Sequence, residues 1–142
     1  MKYSINSELP HKIATDCLVT LVWKTGLLSD DAAAIDKASN KSLSKIVSSG
    51  DFDGKLGETL VIHHPEGVQA KRLLLVGAGE HKKLDSKNTG KVLRAALQAI
   101  YKLKGTSVHF ALTSVKPSDR DTDWLAARLA QEAEDCSYQY DT

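Results

Sequence analysis

His63 and His64 are adjacent and could each offer an imidazole to a metal. No Asp, Glu or Cys stands at a matching helical or hairpin spacing, and Pro65 follows at once, whereas a structural metal site uses three or four ligands at recognisable intervals. Asp51 and Asp53, in Gly50-Asp-Phe-Asp-Gly54, could form an acid/base pair; aspartates at i and i+2 between glycines equally satisfy turn amides. Gly77-Ala-Gly79 ends an apolar run as a phosphate-cradling dinucleotide turn does, but the third glycine of that pattern would fall at position 82, which is Lys82. His81, Lys82, Lys83, Lys87, Lys91 and Arg94 could make a basic face for phosphates, with Tyr101 the one aromatic close enough for base stacking. His109 sits inside a predicted strand, packed or at the surface. Ser, His and Asp all occur, but no Gly-x-Ser-x-Gly does, and neither Cys17 nor Cys136 stands at a helix start. These patterns assign no catalytic, cofactor-binding or metal-binding residue.

The elements that would position such groups alternate along the chain. Tyr3–Ile5 and Cys17–Trp23 are predicted strands, the second β-branched and aromatic-rich. Ser29, Asp30 and Asp31 suit a helix start; helix 30–39 would bury Ala34, Ile35 and Ala38, and helix 41–48 Leu43, Ile46 and Val47. Glu58–His63 is a strand, Pro65-Glu-Gly67 a turn, and Arg72-Leu-Leu-Leu-Val76 the most apolar strand, expected inside a sheet with both faces covered. The short interval between the last two suggests an antiparallel pair. A helix over about 89–104 shows an apolar stripe of Val92, Leu93, Ala96, Leu97, Ile100 and Leu103. Ser107–Leu112 is a strand, and a last helix from Asp119 places Leu125, Leu129, Ala133 and Cys136 on one face. Strand–helix alternation of this kind predicts an α/β fold, a mixed sheet with helices on both faces.

At 142 residues, 42% hydrophobic and 26% charged, the chain has the size and composition of one folded domain. A net charge of +1 does not advertise nucleic acid or membrane. Charge is uneven, however: Lys71 to Lys104 holds nine Lys/Arg against two Asp/Glu, and Ser118 onward two Arg against seven Asp/Glu. No apolar run approaches the roughly 18 residues of a membrane span, and Met1–Ile5 opens no signal peptide. The expected location is the cytoplasm, with two reduced, packed thiols.

Two segments, Gly50-Asp-Phe-Asp-Gly-Lys-Leu-Gly-Glu58 and Arg72-Leu-Leu-Leu-Val-Gly-Ala-Gly-Glu80, resemble the N-terminal domain of the leucyl aminopeptidases, the cytosol aminopeptidase family. The order of the other pieces agrees: Leu18–Trp23 resembles an early strand, 33–50 a pair of short helices, 93–105 an Ala-rich helix, and 126–141 a helix leading to a catalytic domain. The resemblance implies a macro-domain-like fold over 1–136, with 137–142 starting a linker to a catalytic domain not included. It implies that the parent removes N-terminal residues, leucine preferred, from peptides, using two divalent metals (zinc or manganese) held in that other domain. It also implies a homo-oligomer, a hexamer, in which domains like this one join subunits and limit access. No catalytic or metal residue is carried onto this chain. The alternative it raises is a module for ADP-ribose-like nucleotides or DNA. Asp16-Cys-Leu-Val19 resembles a macro domain's ligand strand, but Thr20 stands where asparagine is expected, and the Gly-rich diphosphate loop is absent. DNA contact would fall to the face from Lys82 to Arg94.

Overall fold

The strongest strand formers of the chain lie side by side at the centre of one sheet. The computed structural model describes residues 2–5, 14–24, 28, 30–50, 52–80, 85–102, 107–111, 127–132 and 134. Its elements are β1 (Lys2–Ile5), β2 (Cys17–Val22), α1 (Asp30–Ala38), α2 (Ser42–Ser48), β3 (Thr59–His63), β4 (Arg72–Gly77), α3 (Ser86–Tyr101) and β5 (Ser107–Phe110). Residues 127–132 are also helical.

The strands form one sheet in the order β1-β5-β2-β4-β3. β1, β5, β2 and β4 are mutually parallel, and β3 runs antiparallel along β4, with Val61 opposite Leu74. β2 and β4 are flanked on both edges and covered on both faces, which is why their sequences are continuous apolar runs rather than alternating ones. Val19, Leu21, Leu74 and Val76 face α3 and Leu129. Leu18, Leu73 and Leu75 face the opposite layer, with Ile35 of α1 and Leu43 of α2. Each fully buried leucine contributes on the order of 2 kcal/mol from burial.

α3 carries the predicted stripe: Val92, Leu93, Ala96, Leu97 and Ile100 are all buried. It starts at Ser86 rather than Thr89, because Asp85 caps it by accepting the Asn88 N–H at 2.8 Å. Leu103, predicted to extend the stripe, lies outside the described residues. α1 turns a different face inward than predicted. Ala32 and Ile35 are fully buried, while Ala34 and Ala38 are only partly so. The buried set follows i, i+3 from Ala32 and continues to Ser39. Asn40 and Lys41, both left-handed, turn the chain from α1 into α2. There the Asp36 carboxylate accepts the Ser44 N–H at 2.9 Å, so a buried aspartate holds the start of α2. In the last predicted helix Leu129 is buried as expected; Leu125, Ala133 and Cys136 lie outside the described residues.

The chain leaves β2 toward the α1–α2 layer and leaves β4, its neighbour, toward the α3 layer. Connections that part to opposite faces open a crevice at the carboxyl ends of the two strands, where open α/β sheets place ligands.

Candidate functional site

A cleft of about 440 Å³ lies at that switch point. Lys24 enters it from the end of β2, Ala78, Gly79 and Glu80 from the end of β4, Asn88 from the first turn of α3, and Lys55 and Leu56 from the loop before β3. Leu56 is the one large apolar side chain exposed among the described residues, and it packs against Gly79. The cleft thus has an apolar floor, two ammonium groups and one carboxylate. Among the described residues that line it there is no Ser, Cys or His.

The floor is built by the loop from Phe52 to Glu58. Phe52 is 1% exposed and anchors the loop in the α1–α2 layer. Glu58 Oε1 then accepts three backbone N–H groups, from Asp53 at 3.2 Å, Gly54 at 3.0 Å and Lys55 at 3.2 Å. Successive N–H groups converging on one point make an anion-binding nest; here the anion is the chain's own carboxylate. Gly54, at φ 81, passes so close to β2 that a Cβ would lie 2.1 Å from the Trp23 carbonyl oxygen. A Cβ on Gly77 would lie 1.8 Å from the Lys55 carbonyl oxygen. Glycine is required at both positions by close backbone approach.

The Gly77-Ala-Gly79 turn is filled in the same way. Gly77 N–H donates to Glu58 O at 2.7 Å, Ala78 N–H to Val22 O at 2.9 Å, and Gly79 N–H to Gly54 O at 3.0 Å. A phosphate cradle needs such amides turned outward; these point inward to the protein's own carbonyls. The dinucleotide reading of this turn gives way to a structural one.

The other sequence candidates scatter. His63 and His64 are exposed at the end of β3, and His64 has left the strand at φ 52. His109 is buried in β5. Asp53 is exposed, and Asp51 lies outside the described residues. Among the described residues no group of three or more His, Cys, Asp or Glu comes together. Of the basic run, His81, Lys82 and Lys83 lie outside the described residues, and Lys87 and Lys91 are exposed. Arg94 is spent within the chain: its Nε donates to Glu132 Oε2 at 3.1 Å, while Arg128 holds Glu132 Oε1 at 2.7 Å. Asp16, placed on a ligand strand by its resemblance, sits at the opposite end of β2 from the cleft. Its Oδ2 accepts the Ser107 N–H at 3.1 Å, and the Ser107 hydroxyl accepts the Asp16 N–H at 3.0 Å. Beside it the buried Cys17 thiol is pushed up to about 11, chiefly by burial, with Arg72 opposing and Asp16 reinforcing the shift. Sequence reasoning missed Lys24, Leu56 and Asn88, since nothing local marks residues that meet only when two strand ends converge.

The family model for the N-terminal domain of the cytosol aminopeptidases matches residues 19–142. A probable cytosol aminopeptidase of Methylobacillus flagellatus is 42% identical over 141 residues, which are 99% of this chain and 28% of that protein. The chain thus spans little more than a quarter of the length of that relative. A tomato leucine aminopeptidase variant superposes with a TM-score of 0.70 at 17% identity, over 94% of this chain and 27% of the other. The macrodomain of Mycobacterium tuberculosis DarG superposes with a TM-score of 0.72 at 15% identity, over 94% and 91%. The fold is macro-domain-like, and the chain belongs to the cytosol aminopeptidase family, to its N-terminal domain.

Proposed function

We propose that this chain is a non-catalytic domain of a metal-dependent aminopeptidase, serving subunit contacts and control of access while a separate catalytic domain carries two divalent metals and the peptide chemistry. Residues 1–136 form the domain and 137–142 begin the linker. The parent removes N-terminal residues, leucine preferred, from peptides in the cytoplasm, as a homo-hexamer. The observation that carries this reading is the use to which the family's Phe52–Glu58 segment is put. Its phenylalanine, glycines and glutamate close the strand ends against each other. Residues of a segment that resembles the family are used here to build a wall, which supports a structural role for it. The purified chain is expected to release no aniline from a leucine anilide with added zinc or manganese. Turnover that copurifies with the chain would overturn the reading.

A second reading, a nucleotide or DNA module, is favoured by Lys24 and Lys55 at the cleft. The inward-facing amides of the Gly77–Gly79 turn and the carboxylate already in the Asp53–Lys55 nest weigh against it. Calorimetry with ADP-ribose, and a DNA mobility shift at low salt, separate the two readings, since phosphate contacts strengthen as salt falls.

A further inference from the structure

β3 ends the sheet, and its hydrogen bonds show which way its backbone faces. Glu58 O accepts from Gly77 N–H at 2.7 Å, and His64 N–H donates to Lys71 O at 2.9 Å. Successive residues of an antiparallel strand turn their N–H and C=O to opposite sides. Leu60 and Ile62 are therefore in phase with the ladder to β4, and Thr59, Val61 and His63 direct theirs away from the sheet. Among the described residues no strand lies beyond β3. Natural edges are blunted by lysine, proline, a bulge or an inward charge; Thr-Leu-Val-Ile-His has none of these.

Beside this edge, on the α3 face, runs a groove of about 310 Å³. Thr59 and Val61 form one wall, and Ala95, Gln98 and Ala99 of α3, with Lys102 just past its end, the other. Ala95 and Ala99, one helical turn apart, are the small residues that leave it open.

We propose that β3 is a self-association edge: two copies of this chain pair their β3 strands antiparallel about a two-fold axis at Val61, making one continuous sheet. The self-complementarity of the strand commits the edge to a second copy. It has five residues, and the central one faces outward. A two-fold axis there sets Val61 against itself, Thr59 against His63 and Leu60 against Ile62. Every outward N–H and C=O then finds a partner, about six hydrogen bonds in all. No like charges meet, and a hydroxyl faces an imidazole at each end. Pairing β3 with the far edge, β1, would be heterologous and open-ended, whereas the two-fold arrangement closes after two copies. Directly opposed residues share a face, so the two grooves adjoin across the axis and give Gln98 and Lys102 of each copy space beside the other copy. This inference rests on the reading of the domain as a subunit-contact element and names the surface.

Sedimentation equilibrium of the 142-residue chain tests it, with two variants. Val61→Pro removes the outward N–H at the axis and spares the ladder to β4, a position where proline is tolerated. Thr59→Lys with His63→Lys sets ammonium against ammonium at both ends, on side chains already exposed. The unsubstituted chain is expected to dimerise with rising concentration, and each variant to weaken association about tenfold or more while still melting cooperatively as a folded chain. A chain that stays monomeric into the millimolar range, or a dimer that both variants leave intact, overturns the edge pairing. Neither result touches the leucine anilide test, so the two readings fail separately.

Discussion

Where β2 and β4 end, at Val22 and Gly77, main-chain groups do most of the closing. Lys24 N–H reaches Gly79 O at 2.7 Å, Gly57 N–H reaches Gly77 O at 3.0 Å, and the turn amides find the carbonyls of 22, 54 and 58. Where the same strands begin, at Cys17 and Arg72, side chains do more of it. Asp16 and Ser107 exchange hydrogen bonds, Thr15 Oγ1 donates to Ser107 Oγ at 3.1 Å, and Lys71 lies 3.5 Å from Asp16. Main-chain closure leaves no room for a Cβ and has little to titrate. Side-chain closure tolerates changes of shape and answers to pH. The cleft opens at the first end, so whatever meets Lys24 and Lys55 meets a floor fixed by backbone.

The comparison predicts its own largest effect at Gly77. A methyl there meets the Lys55 carbonyl oxygen at 1.8 Å and the Gly54 carbonyl carbon at 2.7 Å. Both are backbone atoms, so no rotamer relieves the clash and the loop must leave the strand. Gly77→Ala is expected to cost about 4 kcal/mol or more in urea denaturation, the range of severe backbone and core damage. A loss below about 1 kcal/mol would mean the loop is not seated as described. Glu58→Ala is milder. It takes the acceptor from three N–H groups, two of them exposed to water and one partly buried, an expected loss of about 1 kcal/mol. Glu58→Gln keeps an acceptor without its charge and is expected to lose about half as much.

The amino end should show itself in pH instead. Burial lifts the Cys17 thiol from an ordinary 9.0 to about 11. Between those values the unfolded thiol has lost its proton and the folded one has kept it. The unfolded state then binds fewer protons, so stability falls as pH rises. The contribution is fully present below about pH 9 and is lost by about pH 11, on the order of 2 kcal/mol. In a Cys136→Ser background, Cys17→Ala should remove that alkaline slope, and Cys17, the one thiol left in the Cys136→Ser chain, should react with a disulfide reagent only on unfolding.

The parts visible from sequence were those with a strong local period. The stripe from Val92 to Ile100 repeats every three to four residues, and only one helix face can bury it. The run Leu73–Val76 is apolar on both sides, so a central strand was the one position for it. The inward face of α1 is not legible locally because Asp-Asp-Ala-Ala-Ala-Ile offers several alanine faces of nearly equal hydrophobicity, and packing selects Ala32 over Ala34. The α3 start is hidden in the sequence because Asp85, its cap, sits at the end of a basic stretch that reads as loop. The cleft left no local trace at all. Lys24 and Lys55 are brought together by the parallel pairing of β2 and β4 and the loop laid across their ends, a long-range arrangement without a periodic signature. Glu58 stood out by resemblance, but that it fills a nest three to five residues behind it needed the loop's geometry.

The smallest predicted effect concerns Asp16, and it decides what kind of side-chain closure operates at the amino end. Its carboxylate stands both as a charge partner for Lys71 and as an acceptor for the Ser107 amide. Lys71 is 73% exposed in its side chain and stands at 3.5 Å, so the ion pair is solvated and worth little. The Ser107 N–H belongs to the first residue of β5 and needs an acceptor where β2 and β5 begin their ladder. Asp16→Asn retains an amide oxygen for that N–H and gives up the charge that attracts Lys71; the expected loss is about 0.5 kcal/mol or less. Asp16→Ala removes the acceptor as well, for an expected loss of about 1 kcal/mol. If Asn costs as much as Ala, and added salt weakens the parent by the same amount, the amino end is held by charge and not by its hydrogen bonds.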